Sequence, residues 1–416
     1  MSTRLSSPRG RSTDAAHRMG HSLRVETLAA AQGVASIRLG EFLLFFLLVV
    51  SGTIDAGIAG TNLPLAAILG YSLLRKPFYD LGRFQALPWI FAVMLTYAGI
   101  VSLFSDPGEY SADWQGRLLR MAAVCILVLV TATGRIDLRS AIYGFCAALL
   151  LNVPLFYMGL LPDLYGGFLT GFVGDKNVAG LSYCLFGLLA IAIARRTSHR
   201  LVLFIAFGAC VWWTGSRTSI AAYIAACCWV SIAPRLPLIG RWVLGAVTAY
   251  LVWLTAEDFS QIGVFSDRQG SDLLRARIDA ASLDKVQETG FFGRGLGEAW
   301  VPMDDGRWFF HNSYWTALVE GGWPWTIAVV GVTALVMLRP FAKSLDSQKI
   351  FAQALGIAVL ICATRLGEVF LTIYWAMPLA FALQCGLSPR VERGLTIGAR
   401  TAEPASAGNF AEGKDA

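Results

Sequence analysis

Charge is scarce in this chain: 34 Lys and Arg and 28 Asp and Glu stand among 416 residues, of which 56% are hydrophobic. One soluble core could not hide that much apolar side chain. Histidine is scarcer still, with four residues. The cysteines, Cys125, Cys146, Cys184, Cys210, Cys227, Cys228, Cys362 and Cys385, all fall inside or at the end of apolar stretches. No loop carries a metal-like pair, which leaves these thiols as small packing residues and excludes a disulfide framework. The first 36 residues have no apolar stretch of the kind found in a cleavable leader. No internal repeat is evident.

What the chain has in quantity is the uncharged apolar run. A helix needs about 20 such residues to cross a bilayer, and about twelve runs qualify as candidate spans. They lie near 41–58, 60–74, 84–104, 117–133, 140–160, 177–194, 201–215, 217–233, 242–256, 323–338, 350–364 and 367–386. The expected fold is therefore all-α, a polytopic transmembrane helical bundle. Basic residues punctuate every second connection, at Arg75, Lys76 and Arg83, at Arg135 and Arg139, at Arg195, Arg196 and Arg200, at Arg235 and Arg241, and at Arg339, Lys343 and Lys349. That alternation follows the positive-inside rule, so the net charge of +6 marks membrane orientation and not a nucleic-acid partner. Both termini are expected on the cytoplasmic side, with a flexible extension over 1–36, a membrane domain over 37–386 and a flexible tail over 387–416.

One connection is long: residues 257–322, about 65 residues on the outer face, where loops of such length are functional or disordered. Its aromatic residues, among them Phe265, Trp300, Trp308 and Phe310, argue for packing over disorder. Short helices are expected there. One is predicted from Leu273 to Val286, with Leu273, Ala276, Ala280 and Leu283 as its apolar stripe.

Three of the histidines stand among arginines on the expected inner side; the fourth, His311, lies just before the tenth run, near the outer boundary. An imidazole there can take a proton from a hydroxyl, or can merely cap a helix or bond within an aromatic belt. Arg217 occupies an abrupt outer turn, as a functional cation or as a side chain snorkelling to headgroups. Arg275 and Arg277 are outer cations on the predicted helix, or its solvated face. In Gly174-Asp175-Lys176-Asn177, Asp175 or Asn177 can cap the next helix, while Lys176 and the helix start can meet an anion. Arg365 and Glu368 are expected to pair with each other in an outer turn, although the arginine can also face the site. Asp304 and Asp305 read as a solvated turn, and no metal is required. Arginines that converge on one face suit a diphosphate, whose departure they can stabilise while a histidine deprotonates the attacking hydroxyl.

From the fifth run onward these residues resemble the O-antigen ligase and O-antigen polymerase superfamily of bacterial membrane glycosyltransferases. The family pattern of a histidine, then Asn, Ser or Gln, nine residues and a glycine is met by His311, Asn312 and Gly322, with Trp325 where a small residue, Thr or Tyr is usual. Ser216-Arg217 resembles the family's Ser-Arg turn, and Gly174 to Asn177 its glycine-and-Asn turn. The stretch from Arg277 to Gly293-Arg294-Gly295-Leu296-Gly297 is similar to the segment that opens the large outer loop. A tryptophan often follows that arginine by four residues, whereas Ala281 stands here, so either Arg275 or Arg277 can be the counterpart.

The resemblance implies transfer of a glycan from an undecaprenyl-diphosphate donor to a saccharide or lipid A-core acceptor at the periplasmic face of the inner membrane, without cofactor or metal. It makes His311 the base or acceptor-orienting residue. Arg217 and Arg277 would bind the donor diphosphate, assisted by Lys176 and Arg275, with Asn177, Asn312 and Arg365 in support. A ligase and a polymerase are not separated by these motifs, and the wide use of the superfamily for exopolysaccharides favours the polymerase. A lipid-linked sugar transporter or flippase, or a subunit of a polysaccharide-export complex, is the alternative.

Overall fold

A computed structural model describes residues 37–53, 59–105, 113–258, 269–303 and 306–389. The expected N-terminal extension, all but the first residues of the expected tail, and Asp304 and Asp305 lie outside the described residues. Each of the apolar runs falls at least in part on a helix, although the last of them, expected from 367, is helical only from Ile373: α1 (Leu39–Val50), α2 (Ala59–Leu73), α3 (Leu87–Phe104), α4 (Trp114–Ala132), α5 (Leu138–Tyr157), α6 (Lys176–Ile193), α7 (Thr197–Trp213), α8 (Arg217–Ile232) and α9 (Leu238–Asp258) precede the long connection. That connection carries α10 (Gln269–Gln287). After it come α11 (Ser313–Thr333), continued by a π-helical turn to Leu338, then α12 (Ser347–Ala363) and α13 (Ile373–Gln384). Among the described residues, five helical segments are long and apolar enough to cross a membrane: Gly82–Phe104, Trp114–Ala132, Leu138–Tyr157, Lys176–Ile193 and Ser313–Leu338.

α6 is the axis of the bundle, buried along almost its whole length between α5, α7, α8, α12 and α13. Small residues allow the close approaches. A Cβ on Gly144 of α5 would stand 2.1 Å from the Phe42 carbonyl oxygen of α1, and one on Gly180 of α6 would stand 2.7 Å from Ser216 at the start of α8. The buried amide of Asn152 ties α5 to the turn before α6. It accepts from the Phe172 N–H at 2.7 Å and donates to the Thr170 carbonyl at 3.2 Å.

The two ends of α4 separate two kinds of surface. At its C-terminal end, the Thr133 carbonyl accepts from the Phe78 and Tyr79 N–H groups, and β1 (Tyr79–Asp80) pairs antiparallel with a strand at Ser388–Pro389. Order therefore reaches slightly past the expected membrane boundary at 386. The arginines at that end reach neighbouring backbone: Arg135 donates to the Arg75 carbonyl at 3.0 Å, and Arg241 to the carbonyls of Ala342 and Lys343 at 2.9 Å. At the N-terminal end of α4 lies the long connection, with β2 (Trp300–Met303) and β3 (Gly306–Phe309) forming an antiparallel hairpin.

α10 forms where a helix was expected, but its buried face differs. Leu273 is 67% exposed and Leu283 39% exposed, whereas Ile278 is 1% exposed and packs with Ala299, Val301, Phe310 and Val319. Leu274, Ile278 and Ala281 share this face at helical spacing, Val286 packs on the same cluster from the last turn, and the hairpin supplies the surface they cover. The periodicity of the isolated segment could not show which side the hairpin would meet.

α11 starts at Ser313, well before the run that begins near 323. Asn312 caps it, accepting from the Tyr314 N–H at 2.9 Å and the Trp315 N–H at 3.3 Å. The helix breaks at Gly322, whose φ of 67° and ψ of −165° are open to glycine and costly for other residues. A Cβ there would sit 2.0 Å from the Phe291 carbonyl oxygen. The glycine-rich segment 293–297 runs beside this break, with the Arg294 N–H donating to the Val319 carbonyl at 2.7 Å and the Gly295 N–H to that of Glu320 at 3.0 Å.

Candidate functional site

His311 lies between β3 and α11, in a corner set by backbone packing. The preceding Phe310 donates its N–H to the Ala299 carbonyl at 3.1 Å. Its carbonyl oxygen lies so near Gly367 that a Cβ on that glycine would be 1.9 Å away. Ser313 fixes the other side: its Oγ donates to the Leu366 carbonyl and accepts from the Val369 N–H at 3.0 Å. Because Asn312 fills the capping role, His311 is released from the structural part open to it from sequence. Its Nδ1 is buried and has no hydrogen-bond partner.

The charged neighbours of that imidazole come from two other segments. Burial first, and then the Arg275 guanidinium, push the His311 pKa down to about 4, with the Asp175 carboxylate acting in the opposite sense. Asp175 is well held. Its Oδ1 caps α6 by accepting from the N–H groups of Asn177 at 2.8 Å and Val178 at 3.0 Å, and its Oδ2 accepts from the Tyr165 hydroxyl at 2.6 Å. Burial and this bond to Asp175 push the Tyr165 phenol up to about 12. Lys176 stands over the rings of Tyr165 and Phe168, 5.4 and 5.7 Å from their centroids.

Arg365 pairs with Asp279 of α10 at 3.3 Å, not with Glu368 as expected from their closeness in sequence. Asp279 also feels Arg275, although burial dominates and raises its pKa. The structure thus brings His311, Arg275, Asp175, Lys176, Asp279 and Arg365 to one end of the bundle. Of the two loop arginines, Arg275 is the half-buried one that acts on His311, while Arg277 lies on the exposed side of α10. Arg217 opens α8 directly after Gly215, whose φ is 63°, and after Ser216, which abuts Gly180 one turn into α6. Asn177 is half-buried in the first turn of α6.

Sequence reasoning missed a second polar cluster. Arg117, in the first turn of α4, donates from Nη2 to Glu320 Oε2 at 2.9 Å and reaches Glu368 with Nη1. Glu320 sits beside the break in α11 and also accepts from the Gly297 N–H at 2.9 Å. A signal was available: Glu320 is an acid three residues before the run at 323–338, and a carboxylate that close to the hydrocarbon needs a partner. Its partner is far away in sequence and could not be named. The Arg117 guanidinium holds the Glu368 carboxyl below the usual range.

Arg117, Arg120 and Glu368 line the polar end of a cavity of about 420 Å³, whose other walls include Met121, Val124, Phe145, Phe172, Val329 and Tyr374. Ser313, two residues from His311, also borders it. Among the described residues no three His, Cys, Asp or Glu side chains gather as they would around a metal ion.

The titration of His311 offers a direct check on this environment. Its imidazole should be neutral at pH 7 and should take its proton only as pH falls toward about 4, read from histidine NMR resonances assigned by comparison with His311→Gln. Arg275→Gln removes a charge that opposes the imidazolium and should raise the midpoint, whereas Asp175→Asn should lower it. A midpoint unmoved in both variants would mean that neither group faces the ring.

Compared with protein-family models and with curated protein sequences, the chain matches none.

Proposed function

We propose that this chain is a bacterial inner-membrane glycosyltransferase of the O-antigen ligase and polymerase type, moving a glycan from undecaprenyl diphosphate onto an acceptor sugar. The observation that carries the proposal is the buried, unpartnered Nδ1 of His311, set between Arg275 and Asp175. Ser313, two residues on, borders a cavity whose walls are largely apolar away from its charged end. A neutral imidazole can accept a proton or orient a hydroxyl. The acceptor hydroxyl attacks the anomeric carbon, its proton passes to His311, and the bond from that carbon to the diphosphate oxygen breaks with the electron pair leaving on the diphosphate. Arg275, with Arg217, Arg277 and Lys176 on adjoining segments, neutralises the charge of the departing group, and Arg365, Asn177 and Asn312 hold the surroundings in place. In this reading the chain crosses the membrane about twelve times. The basic end at Arg75, Arg135 and Arg241 faces the cytoplasm together with both termini, and the His311 end faces the periplasm.

The purified protein in lipid nanodiscs should transfer sugar from an undecaprenyl-diphosphate-linked donor and release undecaprenyl diphosphate in equal amount, with or without a chelator. No release with any acceptor would overturn the proposal. A deletion strain separates the two transferase types: lipid capped with a single repeat marks a lost polymerase, and full-length chains left on the carrier mark a lost ligase. A transporter of the same lipid-linked sugar has two observations in its favour, the break in α11 and the buried charge pair beside it. It would move donor across a liposome membrane without releasing diphosphate.

A further inference from the structure

Arg117 holds two carboxylates that differ in kind. Glu320 is 2% exposed, takes two nitrogens of the guanidinium, and is fixed a second time by the Gly297 N–H. Glu368 is 59% exposed, takes the remaining nitrogen, and belongs to the connection between α12 and α13, not to a helix. Its turn is pinned through Leu366 and Val369 to Ser313, so the backbone on both sides of Glu368 is held while the side chain is held at Arg117. Arg117, Arg120, Glu320 and Glu368 all line the cavity, so that with Glu368 gone the two guanidiniums outweigh Glu320, and its other walls are largely apolar.

We propose that Glu368 is a resident anion, occupying Arg117 while the cavity is empty and displaced when an acidic amphiphile enters. Glu320 remains as the fixed half of the pair, which keeps the guanidinium charged and aimed. When Glu368 swings out, Arg117 and Arg120 present a net positive end to a space whose far walls accept a hydrocarbon tail. A phosphate or diphosphate headgroup carries more charge than a carboxylate and matches the fork of the guanidinium. The exchange is readily reversed because Glu368 is solvated and can return to water at little cost. Glu368 would then set the threshold for occupancy and discriminate against zwitterionic lipids, which gain too little to evict it. This inference shares with the functional reading only the acidic lipid, and none of the transfer chemistry.

The test measures lipid binding without turnover. The full chain in detergent is titrated with undecaprenyl diphosphate, dioleoylphosphatidylglycerol or dioleoylphosphatidylcholine, and bound lipid is counted by native mass spectrometry. Glu368→Gln should tighten binding of an acidic lipid by about tenfold, the scale of one competing charge-assisted contact, and leave phosphatidylcholine unchanged. Tightening confined to undecaprenyl diphosphate assigns the site to a diphosphate carrier, and equal tightening for phosphatidylglycerol assigns it to any acidic lipid. Because loss of Arg117 alone would strand Glu320, the loss variant is Arg117→Gln combined with Glu320→Gln. In that background acidic lipids should bind more weakly and Glu368→Gln should have no further effect. Unchanged or weaker binding of both acidic lipids to Glu368→Gln, or an effect that persists without Arg117, would overturn the proposal. A failure of the transferase reading would appear separately, as intact lipid binding without sugar transfer.

Discussion

His311→Ala should lower glycan transfer by roughly 10²- to 10⁴-fold, the span attributed to one positioned acid or base, while the amount of folded protein stays the same. Both halves of that expectation come from the local structure. Asn312, not His311, caps α11, and Ser313 anchors the turn opposite, so removal of the imidazole leaves those backbone contacts in place. The removed Nδ1 has no protein partner, so no buried group is stranded by its loss. His311→Gln separates the two roles open to the residue. A glutamine can orient a hydroxyl but cannot take its proton, so recovery of activity in that variant would assign orientation, and continued loss would assign the base. The measurement is release of undecaprenyl diphosphate from a lipid-linked donor. Full activity in His311→Ala would sink the transferase chemistry proposed for this end of the molecule.

Glu320→Ala should be the most damaging substitution for folding, with a loss of about 3–5 kcal/mol, the range for breaking a buried ion pair from one side. The carboxylate is 2% exposed and holds Arg117 at 2.9 Å, in the first turn of α4, together with the Gly297 N–H of the glycine-rich segment. Its removal leaves a guanidinium with only the exposed Glu368 to answer it. Removing both charges is expected to be milder: Glu320→Ala with Arg117→Leu should recover much of the loss, since an apolar replacement no longer has to bury an unmatched ion. Thermal unfolding of the purified protein in detergent, with the yield of monodisperse protein as a second measure, compares the two. A single variant as stable as the parent would mean that Glu320 is not a structural partner of Arg117.

The helices were largely legible in the sequence because apolar runs between charged residues are a local property. Each run near 60–74 or 177–194, for example, needed only its own composition to be found, and Asp175 announced its cap by position. The contacts between segments were not local and were not legible. Arg365 and Glu368 stand three residues apart, and pairing them was the economical reading, yet Arg365 turns to Asp279 and Glu368 to Arg117. The stripe on α10 failed for the same reason, since Ile278 is buried by a hairpin that the helix sequence does not contain. Among the site residues, His311 was singled out by its isolation and Arg275 by its region. Arg117 stood at the edge of an apolar run and offered no mark of its own beyond its charge.

The Arg365–Glu368 connection has a further meaning in terms of linkage. One short segment sends a cation toward the His311 side and an anion toward the cavity side, and it is tied at its middle to Ser313 at the start of α11. The two sides cannot draw on that segment independently. An occupant of the cavity that shifted this turn would, by reciprocity, alter affinity at the Asp279 side by the same factor, and the reverse holds equally. Occupancy by a lipid and readiness for an acceptor would then be two readings of a single equilibrium.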